Sequence, residues 1–543
     1  MKIIPRCLCI CVVIFIPLIE SAKILVAIPT PSLSHQLVFR SYTRELARRG
    51  HEVTVITPDP VFPKGEAPPN LREIDVRDVS YELKRRLYDS TAGQNEDLCN
   101  QVDIIWNILA HMFYEQLKVD EVSKLIKDKN QKFDLLILES VVRSAISLRH
   151  VYEVPVILFS SLGVLDETNI LFGAVTHPLL YPTFLHERVY NLTIFDKIDQ
   201  LYKHYQFEDL IRNKEETENR LMRDYFGPDI PTMSELHNHA DLLFVNTHPI
   251  WDDNRPVPPN VVYLGGLHMP VQRELPKDLK SFLDSSKHGV IYMSFGTNVK
   301  PSLLPSEKIQ MVNKVFSQLP YDILWKYDLD ELPGKSKNVK LVKWVPQSDL
   351  LRHTKIKLFI TQGGLQSTDE AIVAGVPLIG MPMIADQWFN VEKYVRHGIG
   401  MKMEFKTLAE EQLLNGINET INNESYRRNA LRLKKIYNDQ PQTSLERAIW
   451  WTEYVLRHGG AKHLRAPSAN ISWKDYLELE LVSFSWKKSA VCCSHGNENY
   501  DATGGQFCQI FWLGYLLVSS LPQDPMGLCT SKRQAPQSKG KKR

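Results

Sequence analysis

Apolar residues fall into short unbroken runs separated by segments with helical spacing, and the pattern occurs twice. Ile24–Ile28 is the first run. After the loop Pro29-Thr30-Pro31-Ser32-Leu33-Ser34-His35, Val38, Tyr42 and Leu46 share one helical stripe, Gly50 closes the helix, and Val53–Thr57 forms the next run. A strand, a helix and a strand in about 35 residues predict a right-handed parallel crossover. Leu135–Leu138, ending at Glu139, and Val154–Phe159 continue the series as strands covered on both faces. Between Pro249 and Lys287 the composition turns to Pro, Gly and charge, as in a connection between compact bodies. The pattern then restarts at Val290–Ser294 with the turn Phe295-Gly296-Thr297, followed by Ile323–Trp325, Lys340–Lys343, Leu358–Thr361 and Pro377–Gly380. The prediction is an α/β protein of two doubly wound halves, 23–270 and 271–473, facing each other across a cleft at the carboxyl ends of both sheets. The first turn holds no GxGxxG, so a dinucleotide site lacks its main support.

The two ends depart from this pattern. Residues 1–22 combine Lys2 and Arg6, an apolar run from Cys7 to Ile19, and Glu20-Ser21-Ala22, the zones of a secretory signal. A buried first strand is the competing reading. Residues 474–506 read as a polar connector, 507–521 as a short apolar segment, and 522–543 as a basic tail. A helix over 507–521 would reach about 22 Å, against roughly 27 Å of hydrocarbon in an ER bilayer, so a membrane span and an interfacial helix both stay open. Lys539 and Lys541 are placed as in a dilysine retrieval signal. The sequons at Asn191, Asn418, Asn423 and Asn470 agree with the secretory pathway and an ER-lumenal location.

Composition narrows the partners. The chain of 543 residues has a formal net charge of +2, with six basic and no acidic side chains in 531–543. The remainder is slightly acidic, without a basic stripe, which argues against nucleic acid. Of eight cysteines only Cys99 lies in the body, so neither a disulfide framework nor a cysteine metal site is expected there, and no HxxxH, DxD or Cys cluster with ligand spacing is expected at the cleft.

The chemistry is concentrated in residues 344–387, WVPQSDLLRHTKIKLFITQGGLQSTDEAIVAGVPLIGMPMIADQ. A strand runs into Gln362-Gly363-Gly364 and a helix starts at Leu365, which presents backbone N–H groups where a diphosphate could sit. Taken alone, such a turn also serves close packing. The whole stretch resembles the signature of the UDP-glycosyltransferases, a GT-B family that includes animal glucuronosyl- and glucosyltransferases. The resemblance runs from Pro29–His35 to about Trp473 and is closest to insect members.

That resemblance implies roles for individual residues. Trp344 would stack on uracil, Gln347 would hold uracil or ribose, and Glu370 would accept from the ribose hydroxyls. Asp386 and Gln387 would read the sugar hydroxyls. Ser294, Thr297, Gln362, Gly364 and Ser367 would cradle the phosphates. His35 would be the catalytic base, oriented by Glu139, and the reaction an inverting transfer of a hexose, with UDP-glucose the implied donor and no further cofactor. The acceptor would be a small lipophilic molecule. An ER membrane contact and a homo-oligomer are compatible with this reading. Many members carry histidine where this chain has Gln362, and aspartate where it has Glu139. These departures keep an alternative in view, a non-catalytic protein that holds a lipophile or a nucleotide sugar on the same fold.

Overall fold

The computed structural model describes residues 21–89 and 98–483. The signal-like residues 1–20, most of the polar connector, the 507–521 segment and the basic tail lie outside the described residues. Residues 21–470 form one compact unit, and 471–483 belong to a second small unit that holds the helical turn Trp473–Tyr476 and helix over 479–483. Among the described residues no helix is long and apolar enough to cross a membrane.

The first sheet contains β1 (Lys23–Ala27), β2 (Glu52–Thr57), β3 (Leu71–Asp75), β4 (Leu135–Glu139), β5 (Val156–Ser160), β6 (Ala240–Val245) and β7 (Val261–Tyr263). The second contains β8 (Val290–Ser294), β9 (Asp322–Lys326), β10 (Val339–Val342), β11 (Ile356–Thr361), β12 (Leu378–Gly380) and β13 (Gly400–Lys402). Their orders are β3-β2-β1-β4-β5-β6-β7 and β10-β9-β8-β11-β12-β13, and every strand pairing within them is parallel.

Continuous apolar strands arise because both faces of each sheet are covered. In β1, Leu25 and Ala27 enter one core while Ile24 and Val26 enter the opposite one, and Leu136/Leu138 against Leu135/Ile137 divide the same way in β4. In the second half, Val290 and Tyr292 face one core, Ile291 and Met293 the other. This is the two-fold alternation of a strand turned into two hydrophobic layers.

Two features differ from the sequence reading. The stretch 249–287, read as a connector, holds β7 and a helix, Lys277–Ser285. Residues 444–461, grouped by sequence with the second half, return to the first: Ala448, Ile449 and Val455 of the helix Ser444–His458 enter the core beside Val38, Phe39, Tyr42 and Leu46. Tyr42 Oη and Thr452 Oγ1 lie 2.6 Å apart, and Arg49 pairs with Glu453 at 3.1 Å. Burying Ile449 and Val455 there contributes roughly 1.5–3 kcal/mol each, tying the end of the unit to the half in which it began.

Candidate active site

Strand order reverses between β1 and β4 in the first sheet and between β8 and β11 in the second. Loops leaving the carboxyl ends of such neighbours diverge and open a crevice. His35 follows β1 and Glu139 ends β4; Ser294 ends β8 and faces Thr361 of β11, which leads into Gln362-Gly363-Gly364. Both switch points therefore carry the residues singled out in the sequence.

His35 sits in the first turn of the helix Leu33–Arg48. Its Nδ1 lies 3.3 Å from Glu139 Oε1 and 2.7 Å from Ser161 Oγ. Glu139 is buried, and its other oxygen accepts the Thr30 N–H at 3.0 Å. The loop beneath the imidazole is held by side chains at successive carbonyls. The Gln36 amide donates to Ile28 and Thr30, Gln116 donates to Pro29, and Lys84 donates to Pro31. With Nδ1 engaged on the buried side, Nε2 is the nitrogen left to take a proton, the arrangement a general base needs.

In the second half, Ser294 Oγ accepts the Gly296 N–H at 3.3 Å and so shapes the turn that carries exposed Thr297. Gln362 is buried between the two glycine turns; a Cβ on Gly296 would meet its Nε2 at 2.2 Å. Gly364 is the N-cap of the helix Leu365–Ala374, whose first N–H groups lack intrahelical partners and suit an anion.

Trp344 is 57% exposed, with Lys326 Nζ 4.6 Å from the centre of its ring. Gln347 is used differently from the sequence expectation. Its Nε2 donates to Ser367 Oγ at 2.9 Å and to Glu370 Oε2 at 2.6 Å, and its Oε1 accepts from Tyr292 Oη at 2.9 Å. The amide thus positions Glu370 and draws Ser367 to the Glu370 side of the helix. Burial pushes the Glu370 carboxyl up to about 7, opposed by the Gln347 bond and by Arg352 and Lys326. Glu370 is thus protonated at pH 6 and ionised at pH 8. A charged acceptor gains about 1 kcal/mol over a neutral one. Uridine, which has no phosphate to titrate, is expected to bind about 5-fold more tightly at pH 8 than at pH 6 by calorimetry. Glu370→Gln should flatten that dependence.

Asp386 accepts from Asn390 Nδ2 at 2.7 Å. Burial raises its carboxyl above the ordinary aspartate range, while the Asn390 bond and then the charge of His35 pull it back. Gln387 is buried and turns its Oε1 to the N–H groups of Met383 and Ile384, which fixes the loop before Asp386. Beside Asp386 lies a small pocket walled by Phe184 and Trp251 from the first half and Leu365 and Phe389 from the second.

Sequence reasoning missed three residues. Ser161 touches His35, and its backbone carbonyl accepts from Gln366 Nε2 of the second half at 3.1 Å. Asn390 donates also to the Gly363 carbonyl and accepts from Trp251 Nε1. Gln366 lies inside the recognised stretch and Asn390 three positions beyond it, and that was their only signal; Ser161 had none.

Residues 22–494 match the family described as UDP-glucoronosyl and UDP-glucosyl transferase. An ecdysteroid UDP-glucosyltransferase of Spodoptera littoralis nuclear polyhedrosis virus is 36% identical over 85% of this chain and 93% of its own length. UDP-glucosyltransferase 2 of Dactylopius coccus is 30% identical over 86% and 90%. UDP-glucuronosyltransferase 2B15 of Rattus norvegicus is 29% identical over 83% and 88%. The solved structure of Os79 from O. sativa, in complex with U2F and trichothecene, shares the fold with a TM-score of 0.52 at 20% identity, covering 80% of this chain and all of that one. The two facing doubly wound sheets are the GT-B fold, and the chain belongs to the UDP-glycosyltransferase family, enzymes that take a sugar from a UDP-sugar donor to a small acceptor.

Proposed function

We propose that this enzyme transfers glucose from UDP-glucose to a hydroxyl of a small lipophilic acceptor, with inversion at the anomeric carbon. The observation that carries this reading is the His35 imidazole held through Nδ1 by Glu139 and Ser161 at the switch point of the first sheet, as a general base must be. The acceptor is bound by the first half, with its hydroxyl at His35 Nε2. As that oxygen attacks C1, its proton passes to the imidazole, and Glu139 stabilises the imidazolium. The C1–O bond breaks on the opposite face, its electron pair leaving with UDP. Backbone N–H groups around Gly364, the Gln362 amide and the hydroxyls of Ser294 and Thr297 receive the diphosphate. Trp344 stacks on uracil, Glu370 holds the ribose, and Asp386 with Gln387 reads the sugar. These donors meet the leaving charge without a resident cofactor. Glucose is favoured by the names of the viral and Dactylopius relatives, both UDP-glucosyltransferases. The complete base constellation favours an enzyme over the non-catalytic alternative.

An ER-lumenal location is part of this proposal, supported by the signal-like leader and by the exposed sequons Asn191, Asn423 and Asn470. The test uses full-length protein from a eukaryotic secretory host, incubated with several UDP-sugars and a mixed panel of steroids and phenols. Mass spectrometry should find acceptors bearing one hexosyl unit, from UDP-glucose first. Endoglycosidase should lower the mass of the enzyme. Binding of UDP with no sugar transferred to any acceptor would overturn the catalytic reading, and a mass unchanged by endoglycosidase would overturn the lumenal location.

A further inference from the structure

Position 362 is a neutral glutamine, yet the turn after β8 stands among cationic side chains. Lys326 Nζ donates to the Gly296 carbonyl at 2.9 Å. From the first half, Lys84 on the helix Arg77–Asp89 crosses the cleft, and its ammonium lies 2.9 Å from the Pro31 carbonyl and 3.3 Å from Asn298 Oδ1. Asn298 Nδ2 donates in turn to Ser32 Oγ at 3.3 Å. The loop that leads to His35 and the turn expected to hold phosphate therefore meet at one ammonium group.

The surrounding charges favour an anion at this junction. Burial lowers the Lys84 pKa, Asp59 opposes that effect, and Lys300 is close enough to add repulsion. Asp59 is itself bonded to Tyr81 Oη at 2.9 Å and paired with Arg77 at 3.2 Å. Partly desolvated like charges beside a glycine turn are stabilised by a bound polyanion, and a diphosphate supplies that charge.

We propose that Lys84 binds the diphosphate of the UDP-sugar from the first half, supplying across the cleft the positive charge that Gln362 lacks. This rests on the donor-site reading above. Lys84 stays protonated throughout: as the C1–O bond breaks and its electron pair moves onto the phosphate oxygen, the ammonium donates to that oxygen. It contacts the leaving group only when the two halves are together, so binding of donor and approach of His35 are coupled.

The test compares Lys84→Met and Lys84→Arg in the full chain, with UDP and uridine as calorimetric probes and initial rates with UDP-glucose. Lys84→Met should weaken UDP binding about 10-fold and lower kcat/KM about 100-fold, while uridine affinity stays unchanged. Lys84→Arg should recover most of both losses, and adding Gln362→His to Lys84→Met should recover part. Lys84→Gln, with a polar end, serves should Met disturb packing. Unchanged UDP affinity and rate in Lys84→Met, or an equal loss for uridine, would overturn this inference. A wild-type enzyme that fails to bind UDP would instead overturn the donor-site reading itself.

Discussion

Replacing His35 with alanine is expected to lower kcat by about 10²–10⁴-fold while leaving UDP affinity unchanged. The proposed uracil and ribose contacts come from the second half, and the proposed phosphate contacts from the second half and Lys84, none of them from the imidazole, so removing the ring should cost chemistry and not nucleotide binding. The partners of Nδ1 predict a graded series behind that result. Glu139 Oε1 at 3.3 Å accepts the Nδ1 proton and keeps Nε2 free to act as base. Glu139→Gln fills the same buried space, but its amide can donate to Nδ1 and stabilise the unreactive tautomer. Glu139→Asp keeps the charge and retracts it by one methylene. Activity should therefore fall in the order wild type, Asp, Gln, and single-turnover rates should report the same order. Ser161→Ala removes the hydroxyl 2.7 Å from Nδ1 and should shift the pH profile of kcat more than KM. An alanine at position 35 that retains activity within about 3-fold would discard the assignment of the base.

The separation of these partners explains what could be read in the sequence. Strands such as Ile24–Ala27 and Leu358–Thr361 were legible because burial on both faces leaves an unbroken apolar run. The strands Leu71–Asp75 and Gly400–Lys402 were not, since the first alternates charge with apolar residues and the second has only three positions. The glycine turn was legible as local geometry. The pairing of His35 with Glu139 reached the reading only through family resemblance, because nothing local links positions 104 residues apart. Ser161, Gln366 and Asn390 stayed hidden because Ser161 meets His35 from 126 residues away, while Gln366 and Asn390 reach Ser161 and Trp251 of the other half. Gln347 shows the converse. Its position in the motif was plain, but its bonds to Glu370 and Ser367 depend on the helix packed beside it.

Gly363→Ala is expected to lower stability by about 2–4 kcal/mol and to weaken UDP binding strongly, from two separable causes. The residue has φ 93°, and a left-handed conformation costs an L-residue about 1–2 kcal/mol. The added Cβ would also meet Val391 Cγ2 at 2.4 Å and the Gln387 carbonyl at 3.2 Å, an overpacking term of roughly 1–3 kcal/mol. Any shift that relieves the contact moves the Gly363 carbonyl off Asn390, the residue that also holds Asp386. Thermal unfolding of a double-mutant cycle separates the two causes. Val391→Ala removes the methyl group in the way but not the backbone strain, so the double variant should be more stable than the sum of the single effects by about 1 kcal/mol. Gly296→Ala gives a contrast. Its Cβ would strike only the Gln362 amide, the mobile end of a side chain, so its steric term should be smaller while UDP binding still falls. Strict additivity in the Gly363 cycle would show that steric exclusion is not what keeps this position glycine.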